Sequence, residues 1–339
     1  MTAYRVRPAR HEDVPGIERL LAQMDVRVST LPVDRDKLAE KISQSCLAFE
    51  GDPSVAGRER YLFVLEDTES GEILGTSGID RCAGNGAPFY NYRMDELIHS
   101  SHQLGVFNTV PVLYMTHELT GRSLLCSLTF DKQKVDQAGR ELLSRARFLF
   151  MHLNAERFDP RVIVEIQGVQ TPEGQSPFWD SLGRHFFDMD FATADYYSSI
   201  KSKTFIAEMM PAHPIYVSLL TDAAREAIGQ PHPAASANCQ LLHREGFRIG
   251  KYIDIFDGGP TLEASLDQIN TVKHARSKQV RLTPGTMGLS YLMGVQQENG
   301  FVATLVKLTD GMGDVLRVPE RAAQMLELND GDQVIYSPL

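Results

Sequence analysis

Residues 161–168, RVIVEIQG, constrain the fold more than any other stretch, because a nearly continuous Val/Ile run suits a strand in the middle of a sheet, covered on both faces. The run follows QAGRELLSRARFLFMHL at 137–153, where Leu142, Ala146, Leu149 and Leu153 predict a buried helix face. A long helix feeding a central strand implies a layered α/β chain, its sheet flanked by helices. At 339 residues, 42% hydrophobic and 23% charged, the chain is long and apolar enough for a large core divided between a big and a small domain.

The rest of the chain extends this pattern. Residues 4–7 alternate polar and apolar positions, and Asp13 is placed to cap a helix with Ile17, Leu20, Leu21 and Met24 on one stripe. Leu38, Ile42 and Cys46 mark a second helix over 34–49. YLFVLED and EILGTSGID, joined through Ser70 and Gly71, predict an antiparallel hairpin. Residues 83–122 read as extra strands around a short helix, and 123–130 as another strand. Pro177 opens an amphipathic helix over 177–187. The order βααββ, strand, loop, helix, strand, helix is that of the GNAT acyltransferase fold, a mixed α/β (α+β) sheet flanked by helices. Helices at 221–229 and 236–247 and a strand at 248–257 repeat a GNAT-like ending, leaving open a diverged second half after residue 205. Short β-prone runs after Val280 indicate a small C-terminal β module. The expected domains are therefore 1–275, GNAT-like, and 276–339, β-rich.

The formal net charge of -10 argues against nucleic acid or an anionic membrane as partner and suits a cationic substrate. The opening MTAYRVRPARHED has no apolar signal region, and no run reaches the length of a membrane span, so a cytoplasmic protein is expected. Cys46, Cys82, Cys126 and Cys239 are scattered without a CxxC and read as reduced core thiols. Cys126, within LLCSLTF, reads as a small buried hydrophobe. His99, His102 and His117 lack carboxylates or cysteines at ligand intervals, so no metal is expected.

In a GNAT protein the strand before the long helix offers backbone groups to the pantetheine of CoA, and the following loop turns its amides to the pyrophosphate at the helix N-terminus. The equivalent loop here is DKQKVDQAGRELLS, 131–144, which keeps only Ala138 and Gly139 of an Arg/Gln-x-x-Gly-x-Gly/Ala pattern. Asp136 adds a carboxylate where an anion would bind, offset by Lys132, Lys134 and Arg140. A polar turn capping a helix accounts for these residues at least as well.

Several longer segments carry a more specific likeness: STLP at 29–32, FVLED at 63–67, YNYR at 90–93, SRARFLFM at 144–151, SPFWDSLGRHFFDMDFATAD at 176–195, AEMMPAHPIY at 207–216, IGQPHP at 228–233 and EGFRIGKYIDIFDGGPTLEA at 245–264. With them the chain resembles the arginine N-succinyltransferase family, whose members succinylate the α-amino group of arginine in its catabolism. Two departures stand out. VRVSTLP lacks the paired glycines that precede this stretch in single-gene members, and KVDQAGR replaces a Gly-rich loop. A degraded CoA loop is what a subunit leaning on its partner would carry, and the chain is most similar to the α subunit of the arginine/ornithine succinyltransferases. The resemblance thus implies succinyl-CoA as acyl donor, L-arginine as acceptor with ornithine a second candidate, and a paralogous β subunit as partner.

An α-amine must lose its proton before attacking a thioester, and the departing thiolate gains from a proton donor. His232, between Pro231 and Pro233, projects from a stiffened loop. On its residues alone an exposed or capping histidine is the simpler reading. The resemblance makes His232 the proton donor, and sets Leu128 against succinyl-CoA through its backbone, with core packing the plain alternative. For a guanidinium the candidate carboxylates are Asp190, Asp195 and Glu165. The two aspartates also suit a helix cap, and Asp254 and Asp257 suit a turn through Gly258 and Gly259. Two other functions remain open: a non-catalytic or regulatory partner subunit, and a GNAT enzyme for another amine.

Overall fold

Strand β1 (Tyr4–Pro8) leads to helix α1 (Val14–Ala22), which holds Pro15 in its first turn, where the amide that proline lacks has no helical partner. Helix α2 (Arg35–Glu50) is capped by Asp34, which accepts from the Lys37 N–H at 3.0 Å, and it ends at Gly51 in the left-handed region. The hairpin β2 (Arg60–Asp67) and β3 (Ile73–Asp80) follows as its pattern predicts. Next come β4 (Asn91–Ser101), β5 (Val106–Thr116), β6 (Ser123–Phe130), α3 (Gln137–Leu153) and β7 (Arg161–Glu165). Then follow α4 (Pro177–Ser181), α5 (Arg184–Phe187), α6 (Phe191–Ile200), α7 (Thr204–Met209), β8 (Ile215–Tyr216), α8 (Asp222–Ala227), α9 (Ser236–Arg244), β9 (Arg248–Asp254) and β10 (Pro260–Ser265). The C-terminal stretch carries α10 (Asn270–Lys273), β11 (Arg276–Thr283), β12 (Leu289–Gln297), β13 (Gly300–Leu308), β14 (Val315–Pro319), α11 (Glu320–Met325) and β15 (Gln333–Pro338). The computed structural model describes residues 4–24, 30–200, 204–285, 287–297, 300–311 and 313–339.

The chain divides into two units, one of Met1–Arg81, Ser123–Pro160 and Ser265–Leu339, the other of Cys82–Arg122 and Arg161–Ala264. In the first, the strands run β14-β11-β15-β12-β13-β1-β2-β3-β6. Strand β1 pairs antiparallel with β2 on one side and β13 on the other, so the C-terminal strands continue the sheet of the N-terminal ones. Helix α3 lies across β1, β3, β12 and β13. An aromatic cluster of Phe49, Tyr61, Phe63, Phe150, Phe158 and Phe301 fills the space beneath, in edge and tilted contacts. Asp13 does not cap α1. Its carboxylate is buried against Arg7 at 2.8 Å and accepts the Arg10 N–H, because a buried guanidinium requires an anion more than an exposed helix end requires a cap.

The second unit orders its strands β7-β10-β9-β4-β5-β8. The short helix expected within 83–122 is absent: β4 and β5 pair residue for residue from Asn91↔Thr116 to Ser101↔Val106, and that ladder overrides the helical tendency of MDEL. The helix expected over 177–187 breaks into α4 and α5 at Leu182. A Cβ on Gly183 would fall 2.3 Å from the Trp179 ring, so the chain turns tightly around that buried indole. Trp179 donates its Nε1–H to the Met189 carbonyl at 3.0 Å and packs with Tyr92, Phe178, Phe191, Ile253 and Phe256. Both units are thus sheets covered by helices, the mixed architecture read from the element order.

Candidate active site

Strand β6 is not a regular neighbour of β3. Gly78 pairs with Cys126 and Thr76 with Thr129, so Ser127 and Leu128 together oppose Ser77 in a β-bulge. Ser127 adopts φ +53°, a conformation costly for a residue with a side chain, and the surroundings hold it there. Its N–H donates to Thr30 Oγ1 at 2.9 Å, its hydroxyl to the Thr30 carbonyl at 3.1 Å, and its own carbonyl accepts from Thr76 Oγ1 at 2.8 Å. Lys41 Nζ completes the clamp by donating to the Thr30 carbonyl at 2.9 Å. Thr30 belongs to the STLP segment; Ser29, and with it the 26–29 part of the departure noted above, lies outside the described residues. Leu128 sits half-buried on this bulge, where its main chain has left the regular ladder with β3.

The N-terminus of α3 is conventionally capped. Asp136 accepts from the Gly139 N–H at 2.9 Å, placing a carboxylate on the amide a pyrophosphate oxygen would otherwise take. Gly139 is required for packing as well: a Cβ there would meet Val135 at 2.8 Å and the Tyr4 ring at 3.0 Å. Arg140 turns back, its Nε donating to the Val135 carbonyl and its guanidinium lying 4.9 Å from the Phe130 ring centre. Leu128, Ala138 and Gly139 thus belong to the first unit, and His232 to the second.

His232 is held by its main chain and by one ring nitrogen. Its main-chain N–H donates to the Gln167 carbonyl at 2.7 Å, Pro231 bridges to Gly168, and the Gly229 N–H donates to the Gly258 carbonyl at 2.8 Å. Pro233 then starts a tight turn in which the Ala234 N–H donates to His232 Nδ1 at 3.1 Å. With Nδ1 an acceptor, the neutral ring carries its proton on Nε2.

Asp257 anchors this loop from below. Its two oxygens accept from the Gly168 N–H at 2.7 Å and the Gly259 N–H at 2.8 Å. Burial pushes its carboxyl well above the usual range, and the neighbouring charges of Asp254 and Glu165 add to the effect against the two amides. Glycine is needed on both sides: a Cβ on Gly168 would lie 2.5 Å from the Asp257 carbonyl, and one on Gly259 2.1 Å from that of Ile166. Asp254 shapes the preceding turn by accepting from the Phe256 and Asp257 amides.

Of the carboxylates considered for a cation, Asp190 is exposed and caps α6 through the Thr193 N–H at 2.8 Å; the Thr193 hydroxyl and that N–H together hold its carboxyl below the ordinary range. Asp195 is half-buried on that helix. Glu165, at the end of β7, accepts from Asn91 Nδ2 at 2.6 Å. Sequence patterns did not single out Asn91, Thr30 or Lys41; only the YNYR and STLP segments hinted at the first two. Cys126 is buried, and burial pushes its thiol up to about 11, far from a nucleophile's range. Among the described residues no three His, Cys, Asp or Glu side chains gather as metal ligands, and no helix is long and apolar enough to cross a membrane.

Residues 4–271 match the model of a family described as arginine N-succinyltransferase beta subunit. The arginine N-succinyltransferase subunit alpha of Pseudomonas aeruginosa is 42% identical over 330 residues, covering 97% of this chain and 98% of that protein. The arginine N-succinyltransferase of Salmonella paratyphi B is 39% identical over 275 residues, covering 81% of this chain and 80% of that protein. The solved structure of arginine/ornithine succinyltransferase subunit AI from Pseudomonas aeruginosa superposes with a TM-score of 0.91 at 39% identity, over 100% of this chain and 99% of that one. These names divide between alpha, beta and undivided, so they do not choose a subunit.

Proposed function

Because the chain belongs to the arginine N-succinyltransferase family, we propose that it transfers the succinyl group of succinyl-CoA to the α-amino group of L-arginine, with ornithine a second acceptor. The observation that carries this reading is the likeness to the Pseudomonas aeruginosa subunit alpha along almost the whole of both chains. The neutral α-amine attacks the thioester carbonyl, the C–N bond forms, the amine gives up a proton, and the C–S bond breaks to release CoA. His232 is the proton donor: its Nε2–H, on the side opposite the Ala234 contact, hydrogen-bonds to the departing sulfur as the C–S bond breaks, and the proton given up by the amine returns through solvent, so that CoA leaves as the thiol and the ring ends neutral. Leu128 meets the acyl-CoA through the main chain that the bulge takes out of the ladder. Ala138 and Gly139 form the turn facing the CoA phosphates, against the opposing charge of Asp136.

The same Asp136 contact favours assembly with a paralogous subunit that strengthens acyl-CoA binding; a chain that only completes or regulates its partner's site is the second, less favoured reading. The reaction belongs in the cytoplasm, where succinyl-CoA is available. Following thiol release from succinyl-CoA, with and without arginine, separates the two readings. The purified chain alone should release thiol in an arginine-dependent manner, and more with a co-expressed paralogue. Activity in the paralogue alone, unchanged when this chain is added, would contradict both.

A further inference from the structure

Lys41 is one of the buried residues of α2, only 8% exposed. Its Nζ donates to the Thr30 carbonyl at 2.9 Å, and among the described residues it has no second acceptor and no carboxylate partner. An ammonium carries three donors, so two of them and the charge itself lack a counterpart in a place largely closed to water. Other buried cations of this unit are matched. Arg7 is paired with Asp13 and Glu66, and Arg147 has an acceptor for each nitrogen in Ser144 and the Gly78 carbonyl. The Lys41 ammonium lies beside the β6 bulge. The Thr30 carbonyl that accepts from it also accepts from the Ser127 hydroxyl at 3.1 Å, so Lys41 and Ser127 flank one oxygen. Burial raises the Cys126 thiol, Asp80 adds to the rise and the Lys41 charge opposes it, which places that charge next to the strand leading into the bulge. Asp80 is paired with Arg60 at 3.7 Å rather than with Lys41.

We propose that Lys41 holds the free carboxylate of the succinyl group and makes the acyl site selective for a dicarboxylic thioester. The proposal rests on the acyl-transfer reading above, in which the acyl-CoA meets the main chain at Leu128. In a succinyl thioester the free carboxylate stands three carbon–carbon bonds beyond the reacting carbonyl. With that carbonyl at the bulge, the cation that receives the carboxylate must come from side chains around the bulge, not from Lys132, Lys134 or Arg140 of the CoA loop. Lys41 meets this requirement, and its unused donors supply the hydrogen bonds a carboxylate oxygen accepts. A neutral acyl group would leave the buried ammonium unmatched, and a site built around a polar partner discriminates strongly against an analogue that lacks it.

Butyryl-CoA, a neutral thioester with the same number of acyl carbons, provides the probe. Lys41→Gln can still donate to the Thr30 carbonyl but carries no charge. It should reduce the preference for succinyl-CoA over butyryl-CoA in kcat/KM by about 30-fold, the effect of losing a hydrogen bond to a charged group, and act mainly through the KM for succinyl-CoA. The KM for arginine should move little. Lys41→Arg keeps the charge and should keep most of the preference. If Lys41 only braces Thr30, Lys41→Gln will affect both thioesters alike and leave the preference intact, and that outcome overturns the proposal. Equilibrium binding to the unaltered protein without arginine decides the matter independently of variant folding: succinyl-CoA should bind more tightly than butyryl-CoA, and equal affinities overturn the proposal. Absence of succinyl transfer by the unaltered protein would instead contradict the parent reading, while the binding comparison still decides this one.

Discussion

The main-chain N–H of Ala234 donates to Nδ1 of His232 at 3.1 Å, and this bond decides which ring nitrogen is available for proton donation. A side chain at position 232 without an imidazole can neither accept that bond nor donate from Nε2. His232→Ala should therefore lower kcat by about 10²–10⁴-fold, the usual worth of a positioned general acid, while CoA binding measured by titration stays nearly unchanged. Retained turnover would remove His232 from the chemistry.

Asp257 positions that histidine through Gly168 and Gln167, and its carboxyl satisfies two amides at once. An asparagine has one carbonyl oxygen for the two donors. Asp257→Asn should cost about 1–3 kcal/mol in stability by leaving one amide unpaired, with a fall in kcat. The pH dependence has a definite sign. A carboxyl raised on folding contributes stability that is present below its unfolded pKa and lost as the pH rises through the folded value. Chemical denaturation of the unaltered protein should therefore show this contribution fading as the pH rises above the ordinary carboxylate range, and the asparagine variant should lack that component.

In the first unit, Arg7 and Asp13 form a buried pair, with side chains 7% and 4% exposed. Asp13→Ala leaves the guanidinium with Glu66 as its remaining carboxylate partner beside the Pro8 carbonyl, and should cost about 3–5 kcal/mol, read from the urea midpoint. Burial pushes the Glu66 carboxyl up, but the guanidiniums of Arg7 and Arg5 outweigh it and hold the group below its ordinary range. A carboxylate lowered on folding stabilises above its unfolded pKa, and the benefit disappears as the pH falls through the folded value. Glu66→Gln should accordingly blunt the acid limb of the stability profile.

Asp136 offers a gain-of-function test. Asp136→Ser keeps an oxygen to cap Gly139 but removes the negative charge from the N-terminus of α3. Relief of about 1 kcal/mol of repulsion should tighten succinyl-CoA binding about fivefold, seen as a lower KM. An unchanged KM would detach Ala138 and Gly139 from the phosphates.

How far these features could be read from sequence depended on whether they were local. The β2–β3 hairpin and α3 followed from periodicity, and the capping role of Asp190 and the turn at Asp254 from short-range spacing. Asp13 looked like a cap because its ion pair with Arg7 depends on how β1 and the turn before α1 approach each other. The long β4–β5 ladder was hidden because strand pairing is a non-local reward. Nothing in LLCSLTF marks Ser127 as left-handed; the bulge exists because Thr30, Lys41 and Thr76 supply its bonds from three other segments. Likewise, His232 could be placed on a stiff loop from its flanking prolines, but the tautomer required the position of Ala234.

The most direct test of the acyl-transfer account is the position of the new bond. Incubation of the protein, with its co-expressed paralogue, in succinyl-CoA and L-arginine should release one thiol per arginine consumed. The product should show by NMR a shifted α-proton and an unaltered guanidinium. A product acylated at the guanidinium, or thiol release that does not depend on arginine, would contradict it.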